Sequence, residues 1–259
     1  MSSTSLQEPA ADAVDPSSIR LLALSSSRVG GSAYLEAAAP MIRHLLGDAA
    51  LQIAFVPFAA VDGDYDHYGS IVREGLAALP YTIHTVQPRN ATELIGQSDV
   101  VMVGGGNTFK LLHDLYEYKL LDLIRSKVVA GAPYIGWSAG ANIAGRTIAT
   151  TNDMPIIEPR SFRALHLLPF QINPHYVNLQ TAGFHGETRD QRLAEFITLN
   201  PAVPVVCLPE GTALQLQQGE LRFIGARSGV MLRAEKTTGQ LIREDIAADT
   251  AVSYLLDHP

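Results

Sequence analysis

The sequence predicts an α/β protein: a mostly parallel sheet with helices on both faces, followed by a β-rich C-terminal part. Three observations predict it. Short apolar runs alternate with helix-length stretches from residue 19 to about residue 147, and parallel neighbours require such helical crossovers. Two of those runs end in glycine-rich turns that open helices, "VVMVGGGN" and "YIGWSAG". Beyond about residue 147 the helical period gives way to strands and loops.

In chain order, "IRLLALSSS" and "LQIAFVPFA" read as strands, each followed by a helical stretch, near residues 33–47 and 67–79. "YTIHTV" is a short strand. "SDVVMVGGGN" is a buried strand entering a turn, and residues 108–132 then carry Leu120, Leu121, Ile124 and Val128 at helical spacing up to Gly131, a usual helix stop. "PYIGW" is the next strand, before a helix opened by Ala139. In the C-terminal part, "LHLLPFQINPHY" reads as a strand and turn, and "ALQLQQGELRFIG" as a hairpin around Gln218 and Gly219. One helix interrupts it: Thr188 and Gln191 have capping-box spacing, Leu193, Phe196 and Ile197 form its buried face, and Asn200–Pro201 ends it,.

No repeat or linker divides the chain, so residues 19–259 are expected to form one domain behind a disordered leader over residues 1–18, which lacks the basic start and apolar stretch of a secretory signal,. The charged residues, 19 basic against 26 acidic, give −7. That balance offers no basic footprint for nucleic acid or anionic lipid, and no apolar run reaches the roughly 18 residues of a membrane span. A small ligand is the expected partner. A single cysteine, Cys207, excludes an internal disulfide and fits a reducing, cytoplasmic setting,.

The chemistry centres on Ser138. In G-W-S-A-G a serine stands on a strand-to-helix turn with glycines two residues either side, the pattern that holds a nucleophilic hydroxyl out at a sheet edge. The five residues alone are common; the strand before them and the helix former after them give them weight. The helix start presents the Ala139 amide to a developing oxyanion. The triple glycine Gly104–Gly106 lacks the third glycine of a dinucleotide fingerprint and the G-K-[ST] of a phosphate loop. If its strand neighbours "PYIGW", Gly106 becomes a second oxyanion donor. Asn107 or Thr108 caps the next helix, and Asn107 is also a candidate substrate contact.

A serine needs a base. His175, after the rigid Asn173–Pro174, is the candidate, with His185 on a glycine-flanked loop as the rival. The base needs an orienting carboxylate. Asp153 gives the order Ser, Asp, His and Glu210 gives Ser, His, Glu; spacing leaves both open, and the end of the strand "VPVVCL" favours Glu210 slightly.

These blocks together resemble a known family. "VGGGNTFKLL", "YIGWSAGANIA", "TTNDMPI", "LPFQINPHY", "GETRDQR" and "LPEG" occur in the order and approximate spacing of the dipeptidase E (alpha-aspartyl dipeptidase) family, over roughly residues 19–225. The resemblance implies a fold similar to class I glutamine amidotransferases and a serine exopeptidase acting on small peptides with an N-terminal aspartate. It implies no metal or cofactor; a monomer or small homo-oligomer is expected. It matches Ser138 to the nucleophile, His175 to the base, and Asp153 or Glu210 to the third member of the relay. Gly106 and Ala139 match the oxyanion donors, and Arg189 matches a residue receiving the substrate's aspartyl carboxylate, a role suited to a guanidinium. Alternatives are a cyanophycinase-like peptidase of aspartyl-arginine polymers, a general esterase on the same turn, or a noncatalytic binding relative.

Overall fold

The computed structural model describes residues 14–180, 183 and 185–257. The chain runs β1 (Leu21–Leu24), α1 (Ala39–Leu46), β2 (Gln52–Val56), α2 (Tyr65–Gly75), β3 (Thr82–Thr85), α3 (Ala91–Gln97), β4 (Val100–Val103), α4 (Thr108–Glu117), α5 (Leu121–Val129), β5 (Tyr134–Trp137) and α6 (Ala139–Asn142). It continues through β6 (Gln171–Asn173), α7 (Arg189–Leu199), β7 (Val205–Cys207), β8 (Thr212–Gln217), β9 (Glu220–Gly225), β10 (Gly229–Ala234), β11 (Leu241–Ile246) and β12 (Thr250–Ala251).

Two sheets result. The larger has eight strands in the order β12-β9-β8-β1-β5-β4-β2-β3. Its β3, β2, β4, β5 and β1 run parallel, and β8, β9 and β12 extend it antiparallel. The smaller, β11-β10-β7-β6, contains one parallel pair, β6 with β7. The α/β class and the β-rich C-terminal part follow directly from this order.

Both faces of the large sheet are buried by period-two alternation. Leu22, Leu24, Ile53, Phe55, Val100 and Met102 face one way, onto Ile42 and Leu45 of α1 and Val72 of α2. Leu21, Ala23, Ala54, Val56, Val101 and Val103 face the other, onto Ile95 of α3, Leu112 of α4 and Ile124 of α5. Each such aliphatic side chain contributes about 1.5–3 kcal/mol on burial. The small sheet packs on α7 through Leu193 and Ile197 against Val205, Cys207 and Leu232.

Several local expectations change. The helix expected over 108–132 is two. Lys119 takes φ 56°, while Lys119 N–H bonds Tyr116 O at 3.1 Å and Leu120 N–H bonds Leu115 O at 2.8 Å. These are the paired bonds of a Schellman stop, made here without the glycine that announces one. The helix expected over 33–47 starts only at Ala39, because Leu35 at φ 57° interrupts the turns before it and Pro40 occupies the first turn,. Helix α3 is too short for its apolar positions, Ala91, Leu94 and Ile95, to stand out as a period.

The leader expectation falls mostly on residues 1–13, outside the described residues. Its last part is structured: Pro16–Ser18 form a 3₁₀ turn capped by Asp15, and Val14 packs on the core. The hairpin forms as read, with Gln218 (φ 54°) and Gly219 (φ 77°) between Gln217 and Glu220. Two positive φ values are what a two-residue turn needs to follow strand twist. The capping box on α7 is present on both sides.

Candidate active site

Adjacent parallel strands supply the site in two pairs. In the large sheet β4 and β5 lie side by side, Val103 opposite Gly136, and their C-terminal ends carry the Gly104–Gly106 turn and Ser138. In the small sheet β6 and β7 lie side by side, Asn173 opposite Cys207, and their ends lead to His175 and Glu210. Loops at the carboxyl ends of parallel strands converge in this way.

Ser138 sits at φ 54°, ψ −113°, a region that costs a non-glycine residue about 1–3 kcal/mol and persists only where neighbours enforce it. Here Ser138 N–H bonds Leu24 O at 3.1 Å, and its carbonyl accepts from Asn142 N–H at 2.9 Å. The flanking glycines are sterically required. A Cβ on Gly136 would lie 2.3 Å from Gly140 O, and one on Gly140 2.3 Å from Val103 O. Ala139 is the first residue of α6, so its N–H has no acceptor within the helix.

The glycine turn is pressed against this bend. A Cβ on Gly105 would come 2.9 Å from Ser138 Cβ, and Gly106, at φ 138°, passes so close that its own would meet Ala59 O at 2.3 Å. A buried polar cluster fixes the turn. Tyr68 Oη donates to Gly105 O at 3.0 Å, Tyr34 Oη bonds Tyr68 Oη at 2.9 Å, and Trp137 Nε1–H reaches Tyr34 Oη at 3.0 Å. Burial pushes both phenols above their ordinary pKa, so they stay protonated. A peptide unit is planar and trans, so a fixed Gly105 carbonyl fixes the opposite direction of the Gly106 N–H. Nothing in the sequence pattern pointed to Tyr34 or Tyr68.

His175 has φ 51°, and its Nδ1 lies 3.1 Å from Glu210 Oε1, with 41% and 48% of the two side chains exposed. Ser138 and His175 line one cavity of about 340 Å³, together with Gly105, Gly106, Asp62 and Asp64. Ser25, at the end of β1, joins the two sheets. Its buried hydroxyl accepts from His175 N–H at 3.0 Å and donates to Leu208 O at 2.7 Å, two residues before Glu210. Sequence reasoning missed it, because a serine after a strand is common and its partners lie 150 and 183 residues away.

Asp153 lies elsewhere. Its Oδ2 accepts from Thr108 N–H at 2.7 Å and Thr108 Oγ1 at 2.6 Å, at the start of α4. A carboxylate there complements the helix dipole and pins the residue two places beyond Gly106. Asn107 is committed structurally: Oδ1 caps α4 by accepting from Lys110 N–H at 3.0 Å, and Nδ2 donates to Met154 O at 2.9 Å.

Arg189 opens α7 and is not among the described residues lining the Ser138 cavity. Its Nη1 is buried without a hydrogen-bond partner among the described residues, and burial lowers its pKa. Its neighbour Asp190 accepts a hydrogen bond from the hydroxyl of Tyr176, the residue after His175, at 2.6 Å. His185, the rival base, is likewise absent from that lining. Among the described residues no three His, Cys, Asp or Glu side chains group as metal ligands, and no helix is long and apolar enough to cross a membrane.

Comparison with known proteins identifies the family. The model of peptidase family S51 matches residues 21–224. A curated Peptidase E of Nostoc sp. is 52% identical over 212 residues, 81% of this chain and 87% of its own. That of Shewanella amazonensis is 49% identical over 242 residues, 92% of this chain and 99% of its own. Among solved structures, a putative Peptidase E from Listeria monocytogenes superposes with a TM-score of 0.57 at 23% identity, over 84% of this chain and 99% of that one. A peptidase from an acI-B1 Actinobacterium gives 0.60 at 14% identity, over 90% and 96%. At those identities the structures speak for the fold.

Proposed function

Because the chain belongs to peptidase family S51, we propose that it is a serine exopeptidase that hydrolyses Asp-Xaa dipeptides through an acyl-enzyme on Ser138. The observation that carries this reading is the shared cavity: a strained serine and a carboxylate-paired histidine, brought from two different sheets, face the same space.

Ser138 Oγ attacks the peptide carbonyl while His175 Nε2 takes its proton. The Gly106 and Ala139 amides hold the oxyanion. His175 returns the proton to the leaving amine, and water then releases aspartate from the ester by the same base. Glu210 accepts from His175 Nδ1–H, which fixes the tautomer and stabilises the imidazolium. In this reading Asp153 acts at one remove, by anchoring α4 behind the oxyanion turn. Asp62 and Asp64, on the cavity wall, supply the negative charge that a free α-ammonium requires.

Arg189 is assigned to the substrate's aspartyl carboxylate, because a half-buried guanidinium with an unpartnered nitrogen suits an incoming anion,. The two acidic wall residues would also suit an arginine side chain, which keeps an aspartyl-arginine substrate as the second reading.

A panel of dipeptides with varied first residues tests both, with Ser138→Ala as the control. Asp-Leu should be hydrolysed well ahead of Ala-Leu, and the Ser138→Ala variant should lose several orders of magnitude in kcat. Undiminished turnover in that variant removes the acyl-enzyme. Equal use of Asp-Leu and Ala-Leu by the parent removes the role of Arg189, and preference for the aspartyl-arginine substrate selects the second reading.

A further inference from the structure

A dipeptide carries opposite charges at its two ends, and the walls of the Ser138 cavity answer only one of them. Asp62 and Asp64 are acidic, and no lysine or arginine is among the described lining residues. Arg28 stands at the rim. Its Cζ lies 5.7 Å from the centroid of the Tyr34 ring, and Tyr34 and Ser27 both line the cavity. The side chain is exposed and forms no ion pair among the described residues. A guanidinium lying over an aromatic face keeps its fork of donors free for a carboxylate.

The segment between β1 and α1 that carries Arg28 is fixed from within. Buried Ser26 Oγ donates to Arg28 O at 2.7 Å, Ser32 Oγ accepts from Val29 N–H at 2.9 Å, and Leu35 N–H bonds Ser27 O at 2.7 Å. It is fixed from outside as well. Val29 packs on the loop of Glu210: a Cβ on Gly211, the next residue, would meet Val29 Cγ1 at 3.1 Å.

Strand order puts the two charges on opposite sides of the serine. β5, which leads to Ser138, lies between β1 and β4. Arg28 follows β1, whereas Asp62 and Asp64 follow β2, on the far side of β4. His175 belongs to the β1 side, since its N–H bonds Ser25 Oγ at the end of that strand. The group that takes a proton from His175 must lie on the same side, and in peptide hydrolysis that group is the leaving amine. The leaving residue of a dipeptide therefore extends toward Arg28, and the α-ammonium of the other half turns toward the two acids. Two residues span about 7 Å, and a cavity of about 340 Å³ holds them.

We propose that Arg28 binds the C-terminal carboxylate of the substrate, which makes the site selective for peptides whose leaving residue is the last one. The proposal rests on the peptidase reading for which half of the substrate leaves, and it assigns the end of the peptide that reading left without a partner.

Binding and turnover test it separately. Calorimetric titration of Ser138→Ala with Asp-Leu and with Asp-leucinamide isolates the carboxylate, because the two ligands share every other group. Asp-Leu should bind about five- to tenfold more tightly, the scale of an exposed pair with charged hydrogen bonds. Adding Arg28→Gln should bring the ratio to within about twofold of one, and Arg28→Lys, which keeps the charge without the fork, should retain part of it. With Ser138 intact, Arg28→Gln should raise KM for Asp-Leu by about the same five- to tenfold, with kcat little changed. The Arg28 side chain is exposed and only its carbonyl bonds Ser26, so these variants keep the fold, which a thermal melt checks.

Absence of binding, equal binding of the two ligands, or a preference that survives Arg28→Gln overturns the assignment. So does an equal loss on both ligands, which would give Arg28 to the aspartyl side chain instead, or a fall in kcat with KM unchanged. A protein that binds with the expected preference but hydrolyses neither ligand would refute the peptidase reading and leave Arg28 with its carboxylate.

Discussion

Exchanging charge at Glu210 and at Asp153 separates the two carboxylates as partners of His175. In Glu210→Gln the side-chain oxygen can still accept from Nδ1–H, so the change isolates the charge. With 3.1 Å between Nδ1 and Oε1, the charge centres lie roughly 4 Å apart. Coulomb's law then gives about 1 kcal/mol in water and about 4 kcal/mol at a protein surface. Nearly half of each side chain is exposed, so the lower part of that range applies, about 1–2 kcal/mol, or about 5- to 30-fold in kcat. A buried relay aspartate is worth far more, roughly 10⁴-fold; exposure accounts for the difference. Asp153→Asn should instead cost roughly 1 kcal/mol of stability by weakening the start of α4, with kcat within about threefold. Initial rates on Asp-Leu and urea melts of both variants measure the two effects. A hundredfold loss of kcat in Asp153→Asn, with Glu210→Gln near the parent, would refute the reasoning.

Three further outcomes follow from neighbouring contacts. Ser25→Ala removes the hydroxyl joining His175 N–H to Leu208 O; kcat should fall about tenfold or more with KM little changed, and Ser25→Thr should recover part of it, as steady-state kinetics would reveal. Tyr68→Phe frees the Gly105 carbonyl and with it the direction of the Gly106 amide, so kcat should drop by about tenfold, against the roughly 100- to 1,000-fold for losing a donor outright; an unchanged kcat would mean the turn is held by its backbone alone. For His166 the pKa in the folded chain, about 4, lies below its ordinary 6.5. Above pH 6.5 both folded and unfolded chains carry the neutral ring and no penalty arises. Between pH 6.5 and 4 the unfolded chain binds the proton first, so stability declines across that window. NMR titration of the His166 ring should give the low value; a titration near 6.5 would contradict the burial of the ring and the field of the arginines around it.

Much of the geometry of the candidate site was legible because it rests on local rules. The elbow needs small residues within two positions of Ser138, and that need is written as Gly136 and Gly140. The capping box of α7 and the hairpin at Gln218–Gly219 are similarly short-range. The break at Lys119 was illegible, since its stop is built from hydrogen bonds and a left-handed lysine where a glycine would have been visible. The arginines whose field reaches His166, Arg125, Arg146 and Arg163, are scattered over 39 positions and show no pattern until the chain folds.

By itself the sequence determined the alternation of strand and helix, the strained serine turn and the glycine turn that flanks it, because dihedral preference, side-chain volume and hydrophobic period act within a few residues. Only the tertiary structure decided which carboxylate meets His175, that Ser25 clasps the His175 backbone to the loop before Glu210, and that Tyr68 grips the Gly105 turn. Those contacts span 35, 150 and 37 positions respectively. Partners so distant are chosen by which strands pair and which sheet edges face one another, and no local residue preference encodes that choice.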